Sequence, residues 1–138
     1  MNSNQFEMTV CVNGRPVREY GHNGLTFVEG HKGKSYTIKF RNNTARRCLA
    51  VVSVDGLDVV NGQPADAKSA GYIVPAYTAV EIKGWRTSKK AVHDFVFETK
   101  DRAVSTQAMK EDANCGVVSV KVFDEAVTVQ QLNNLLQL

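Results

Sequence analysis

The strongest constraint on the fold of this chain is a two-residue rhythm. In residues 34–41, Tyr36, Ile38 and Phe40 alternate with Ser35, Thr37 and Lys39. In residues 5–12, Phe6, Met8, Val10 and Val12 alternate with Gln5, Glu7, Thr9 and Cys11. A strand places successive side chains on opposite faces, so this period predicts half-buried β-strands. The same rhythm recurs in residues 93–98, with Phe95 and Phe97 on one face, and in residues 115–124, where Val118, Val120 and Val122 face in and Phe123 faces out. Residues 47–54 are nearly continuously apolar, which predicts a central strand covered on both faces.

Turn chemistry punctuates these runs. Asn13-Gly14, Asp55-Gly56 and Asn61-Gly62 are dipeptides that tolerate positive φ, the requirement of tight hairpins. Residues 21–24 read as a loop, residues 15–20 as a return strand, and residues 25–28, 57–60, 71–75 and 78–83 as further short strands. Gly84 interrupts the pattern, and Thr87 or Ser88 can cap a short helix reaching about Val92. Residues 99–114 are charged and small, a long loop. About nine short strands separated by turn signals predict an all-β chain, an antiparallel β-sandwich of jelly-roll or immunoglobulin-like type. A length of 138 residues is one domain, and folding can bury about two thirds of the surface of such a chain. We place the sandwich at 1–124 and a tail at 125–138.

The tail has a different period. Val129, Leu132, Leu135 and Leu136 share one helical face, with Gln130, Gln131, Asn133 and Asn134 opposite. A helix this short is marginal alone in water, so the stripe must dock on its own sandwich or on a partner. We expect a partner, because the strand pattern already closes at Asp124.

Composition narrows the function. The charged fraction of 22% and apolar fraction of 43% are globular averages. No apolar run approaches a membrane span, and residues 1–8 lack the basic and apolar regions of a signal peptide. A net charge of +3 is too mild to announce nucleic-acid binding. P-loop, GxGxxG, HExxH and GxSxG patterns are absent, so no cofactor and no catalytic residue is expected. His22, His31 and His93, with Asp55 and Asp58, show no diagnostic metal-ligand spacing. Cys11, Cys48 and Cys115 form no CxxC pair and sit in apolar runs, as free thiols packed like small hydrophobes do. Cys11 alone falls on the polar side of its strand, where it keeps an intersubunit disulfide open.

Two features suggest contact surfaces. Arg41, Arg46 and Arg47 form one basic cluster, and Lys83, Arg86, Lys89 and Lys90 another; both suit an acidic partner. Trp85, with Tyr72 and Tyr77, offers an aromatic platform for a carbohydrate or other ligand, although a lone Trp at a strand end is more often a core plug.

Several segments together resemble one family. They are NGRPV at 13–17, EGHKGKSY at 29–36, RNNT at 41–44, SVDGLDV at 53–59, GYIVP at 71–75, GWR at 84–86 and GVVSVKVF at 116–123. Over about residues 7–124 the chain resembles small, mostly uncharacterised β-sandwich proteins encoded by tailed bacteriophages and bacteria. The resemblance carries no catalytic signature. It implies a virion component made in the host bacterial cytoplasm: a decoration or cement protein bound to the major capsid protein or another virion protein, and a homo-oligomer. On that reading the tail stripe (Val129, Leu132, Leu135, Leu136) and the basic residues Arg46, Arg47, Lys89 and Lys90 contact the partner. The charged 99–114 segment and the 127–138 tail depart from the family pattern. A ligand-binding β-sandwich is the alternative, and a cytoplasmic bacterial protein carried on a mobile element is a third reading.

Overall fold

A computed structural model describes residues 5–64, 70–86, 92–98 and 116–124. The expected helix at 87–92 falls largely outside them, as do the 99–114 loop, Cys115 and the whole tail. Among the described residues the chain is all-β, and every strand pairing is antiparallel.

Two long strands organise the chain. β5 (Ser35–Asn42) carries the clean alternation, with Tyr36, Ile38, Phe40 and Asn42 buried. β1 (Phe6–Val12) pairs along one of its edges, from Phe6 opposite Asn42 to Cys11 opposite Thr37. The other edge is shared end to end by β9 (Ala79–Ile82) and β11 (Val92–Val96). β2 (Arg15–Pro16) extends this sheet beyond β1, and β10 (Gly84–Arg86) extends it beyond β11. β6 (Cys48–Val54) plays the same part in a four-stranded sheet. β12 (Val118–Asp124) runs along one of its edges, while β7 (Leu57–Asp58) and β8 (Tyr72–Val74) share the other.

The two sheets meet through their inner faces in a sandwich-like arrangement. Met8, Val10, Tyr36, Ile38 and Phe95 from the larger sheet pack with Val52 and Val54 from the smaller one. Phe40 packs with Cys48, Ala50 and Val74 in the same way. Each large apolar side chain here (Val10, Ile38, Phe40, Val52, Val74, Phe95), fully buried, contributes about 1.5–3 kcal/mol. A separate hairpin, β3 (Glu19–His22) with β4 (Leu25–Val28), hydrogen-bonds only to itself as a sheet, while Val28 packs on the core.

Asn13-Gly14 and Asp55-Gly56 make the expected turns, with φ of 53° and 78°, and 54° and 80°. Several expectations change. The single return strand expected at 15–20 is split between β2 and β3, which lie in different sheets. Asn23 and Gly24, at φ 51° and 76°, make the same kind of turn, so residues 21–24 are the tip of a hairpin and not an open loop. Asn61-Gly62 is not such a turn. Gly62 alone has positive φ, and the Asn61 side chain accepts from the Gln63 amide at 2.9 Å. Gly84 does not interrupt the sheet but begins β10, opposite Asp94, and Val92 is the first residue of a strand, not the end of a helix.

The reason lies in the close approach of β10 to β11. A Cβ on Gly84 would stand 2.1 Å from the carbonyl oxygen of His93. A Cβ on Gly14 would meet nothing, and only its φ of 78° resists substitution. Gly84→Ala is therefore expected to cost about 3 kcal/mol by overpacking. Gly14→Ala should cost only about 1–2 kcal/mol, through backbone strain. Urea denaturation midpoints measure both, and equal losses would show that β10 can shift away from β11.

Candidate functional site

One corner of the sandwich gathers arginines around a buried amide. Asn42 is the last residue of β5 and has no exposed surface. Its Nδ2 donates to the carbonyls of Arg46 at 2.8 Å, Val74 at 3.2 Å and Pro75 at 3.2 Å. Its Oδ1 accepts from the Thr44 amide at 2.9 Å and the Thr44 hydroxyl at 2.7 Å. One side chain thus fixes the β5–β6 connection against the end of β8. Arg41 is held beside it, with Nε donating to Asn43 Oδ1 at 2.8 Å and a terminal nitrogen donating to the Tyr77 carbonyl at 3.4 Å. Arg46 and Arg47 follow on the exposed connection. Arg41 is thus held at the end of β5, the Arg46 carbonyl is held by Asn42, and Arg47 borders Leu49, Ile73 and Phe123 on the smaller sheet. Lys89 and Lys90 lie outside the described residues, and so do Val129, Leu132, Leu135 and Leu136.

The aromatic residues are placed differently from one another. Trp85 is half-buried, edge-on to Phe95 with ring centres 5.3 Å apart and planes at 74°. Tyr72 is half-buried too, with the Arg86 guanidinium 5.9 Å from its ring centre. Tyr77 is exposed at the β8–β9 turn with φ 54°, its amide donating to the Thr44 carbonyl. Among the described residues no ring contact links these three side chains.

Sequence periodicity did not single out the β3–β4 hairpin. Its register sets Tyr20 opposite Phe27 and His22 opposite Leu25, so these four share one face. Tyr20, Phe27 and Leu25 are 46%, 50% and 62% exposed. The Arg18 guanidinium lies 5.4 Å from the Tyr20 ring centre. The signal was available in Asn23-Gly24, flanked by an aromatic on each side.

The titratable groups have structural settings. Cys11 is buried despite lying on the polar side of its strand, because β1 is flanked by Thr37 on one edge and Pro16 on the other. Cys11 and Cys48 are free, and burial pushes both thiols above their ordinary pKa, which lowers reactivity. The intersubunit bridge imagined for Cys11 has no exposed thiol to start from. Asp58 is buried, with Oδ1 accepting from the Val60 amide at 2.7 Å. His22, His31 and His93 are exposed, and His31 stands 3.5 Å from Glu29. Among the described residues no three His, Cys, Asp or Glu side chains converge as metal ligands would. No helix there is long and apolar enough to cross a membrane.

No family model, no curated protein and no solved structure matches the chain.

Two outcomes follow from this geometry. Asn42→Ala removes the donor from the buried Val74 carbonyl and from the partly buried Arg46 and Pro75 carbonyls, so it should cost at least about 2 kcal/mol, whereas Asn43→Ala removes one partly buried bond and should cost under about 1 kcal/mol. Denaturant titration separates them, and equal losses would demote Asn42 to an ordinary turn residue. Asp55 gives a pH signature. Burial raises its carboxyl above the ordinary range, partly opposed by the Gly116 amide that donates to it. A raised native pKa means that wild type loses stability as pH climbs through the unfolded value, near about 4, and then through the native one. Asp55→Asn lacks this loss. It should gain on wild type as pH rises through that window and hold a constant difference above it. Parallel stability curves from pH 3 to pH 8, on the order of the carboxylate range, would refute the assignment.

Proposed function

We propose that the chain is a structural virion protein of a tailed bacteriophage, a decoration or cement protein that bridges shell subunits. The observation that carries the reading is the standing hairpin with an unshared apolar face, Tyr20, Leu25 and Phe27, on the same small body as an exposed basic corner. Contiguous apolar side chains rimmed by charge are typical of protein–protein contact surfaces. The motif resemblance supplies the partner class, a shell protein or another virion protein, and the repeated setting in which many copies act together.

The mechanism is mechanical. The free energy of docking across a subunit joint is added to the assembled shell and not to its dissociated subunits, so the shell gains stability by mass action. The hairpin face supplies apolar area, and Arg46 and Arg47 steer the approach to an acidic surface. In this reading Lys89 and Lys90 also contact the partner, several copies act as a homo-oligomer, and the two sheets form a jelly-roll or immunoglobulin-like sandwich. A ligand platform built on Trp85, Tyr72 and Tyr77 has less support, since Trp85 turns its ring against Phe95.

The test is binding to purified particles. The chain should be recovered with them in fixed stoichiometry to the major shell protein, and Phe27→Asp should abolish recovery without unfolding an already exposed site. Arg46→Glu with Arg47→Glu should weaken binding about tenfold at low salt. That difference should fade near 1 M salt, where the screening length falls to about 3 Å. Absence from particles ends the proposal; binding indifferent to both salt and charge reversal removes the electrostatic part.

A further inference from the structure

The outer face of the smaller sheet carries an apolar row that the core does not use. Ile73 of β8 pairs with Leu49 of β6, and Leu49 pairs with Phe123 of β12. The three side chains therefore lie side by side across three strands, opposite in facing to Ala50 and Val122, which pack inward. Ile73 is 66% exposed and Phe123 is 44% exposed. With Arg47, Cys48 and Asp124 they line a trough of about 280 Å³. Asp124 is the last residue of β12, and residues 125–138 begin there. The trough lies where the tail starts.

We propose that this trough is the seat of the chain's own C-terminal segment, with Val129, Leu132, Leu135 and Leu136 packed on Ile73, Leu49 and Phe123. The two apolar features match in length. From Val129 to Leu136 a helix rises about 10 Å. Two spacings between neighbouring strands also come to about 10 Å. The connection is short. Residues 125–128 reach at most about 14 Å, which confines the stripe to the neighbourhood of the trough. Such a tether gives an effective concentration on the order of millimolar, far above that of a second copy in solution. The opposite face also fits. Gln130, Gln131, Asn133 and Asn134 are polar but uncharged, and Glu125 is the only charged side chain of the segment, so docking strips water from no buried charge. Seating the stripe hides two apolar surfaces that would each be exposed alone.

This inference seats the tail on its own sandwich instead of on the partner expected from the sequence. It does not rest on the virion reading, and its test needs only the free protein. Benzoylphenylalanine is placed at position 73, an exposed site that tolerates a larger ring, in an equal mixture of isotope-labelled and unlabelled chains. Irradiation should join position 73 to residues 127–138 of the same chain. Links to the tail of another copy, or no links to the tail, overturn the proposal. Hydrogen exchange on the unmodified chain is the second measurement. Amides of 129–136 should exchange at least tenfold more slowly than in a free peptide of the same sequence, and Leu132→Asp with Leu136→Asp should abolish that protection while the β1–β5 amides keep theirs. Tail amides exchanging at the free-peptide rate overturn it.

Discussion

The arrangement of the two sheets at their shared corner depends on the amide of Asn42. A hydrophobic side chain at this position would continue the buried alternation of Tyr36, Ile38 and Phe40. It would also leave the carbonyls of Val74 and Pro75 without the donor they now have, at 3.2 Å each. Those carbonyls belong to the end of β8 in the smaller sheet, whereas Asn42 belongs to the larger one. One polar group inside an apolar corner thus links the two layers. It does so in a setting where an unmade hydrogen bond is costly, so it fixes one geometry rather than several. The same amide, through Thr44 and the Arg46 carbonyl, determines how the arginines leave the sheet.

Each sheet repeats one plan around its central strand. β5 and β6 each have one long partner on one edge and two short partners sharing the other. The inner faces are consumed by the core, so recognition is left to outer faces, corners and the free hairpin. Five of the eight large exposed hydrophobics among the described residues fall in two patches: Tyr20, Leu25 and Phe27 on the hairpin, Ile73 and Phe123 on the outside of the smaller sheet; Tyr77, Val92 and Val117 are the others. The two patches differ in kind. The hairpin is a separate two-stranded sheet whose Tyr20, Leu25 and Phe27 are exposed while Val28 packs on the core. The trough lies beside the point where the chain continues, and so can be filled from within.

Local pattern made the framework legible and long-range register did not. β5 is readable because every second residue is apolar, and β6 because its residues are apolar throughout. Asn13-Gly14 and Asp55-Gly56 are readable because positive φ is a property of two adjacent residues. Asn23-Gly24 was hidden by its flanks: Tyr20, His22, Leu25 and Phe27 lie on one exposed face, so no inward apolar period marks the strands. The basic corner was half legible. Arg46 and Arg47 are neighbours in sequence, but the tie from Arg41 to Tyr77 crosses to another strand connection. The Ile73–Leu49–Phe123 row could not be read at all, since it exists only once β8 and β12 have chosen their register on β6.

Trp85 shows how the same constraint assigns a residue to scaffold or surface. Phe97 stacks on Tyr36 at 4.4 Å, Tyr36 on Phe95 at 5.4 Å, and Trp85 packs T-shaped against Phe95 at 5.3 Å. These rings form a continuous column running from the residue after β11 through β5 and back to β10. At one end Gly30 presses on Phe97, where a Cβ would come within 2.7 Å of the ring. The Gly33 amide donates to the Phe97 carbonyl at 2.8 Å, which fixes the loop against it. At the middle, burial drives the Tyr36 phenol far above its ordinary pKa, with Asp55 adding to the shift, so the ring stays neutral inside the core. Trp85 closes the other end. Turning its indole outward to stack on a ligand would forfeit an edge-to-face contact worth about 0.5–1.5 kcal/mol and open the top of the column to water. Any ligand that recruited it would have to supply that much before gaining affinity, whereas the hairpin face is already exposed and needs no such rearrangement to be covered.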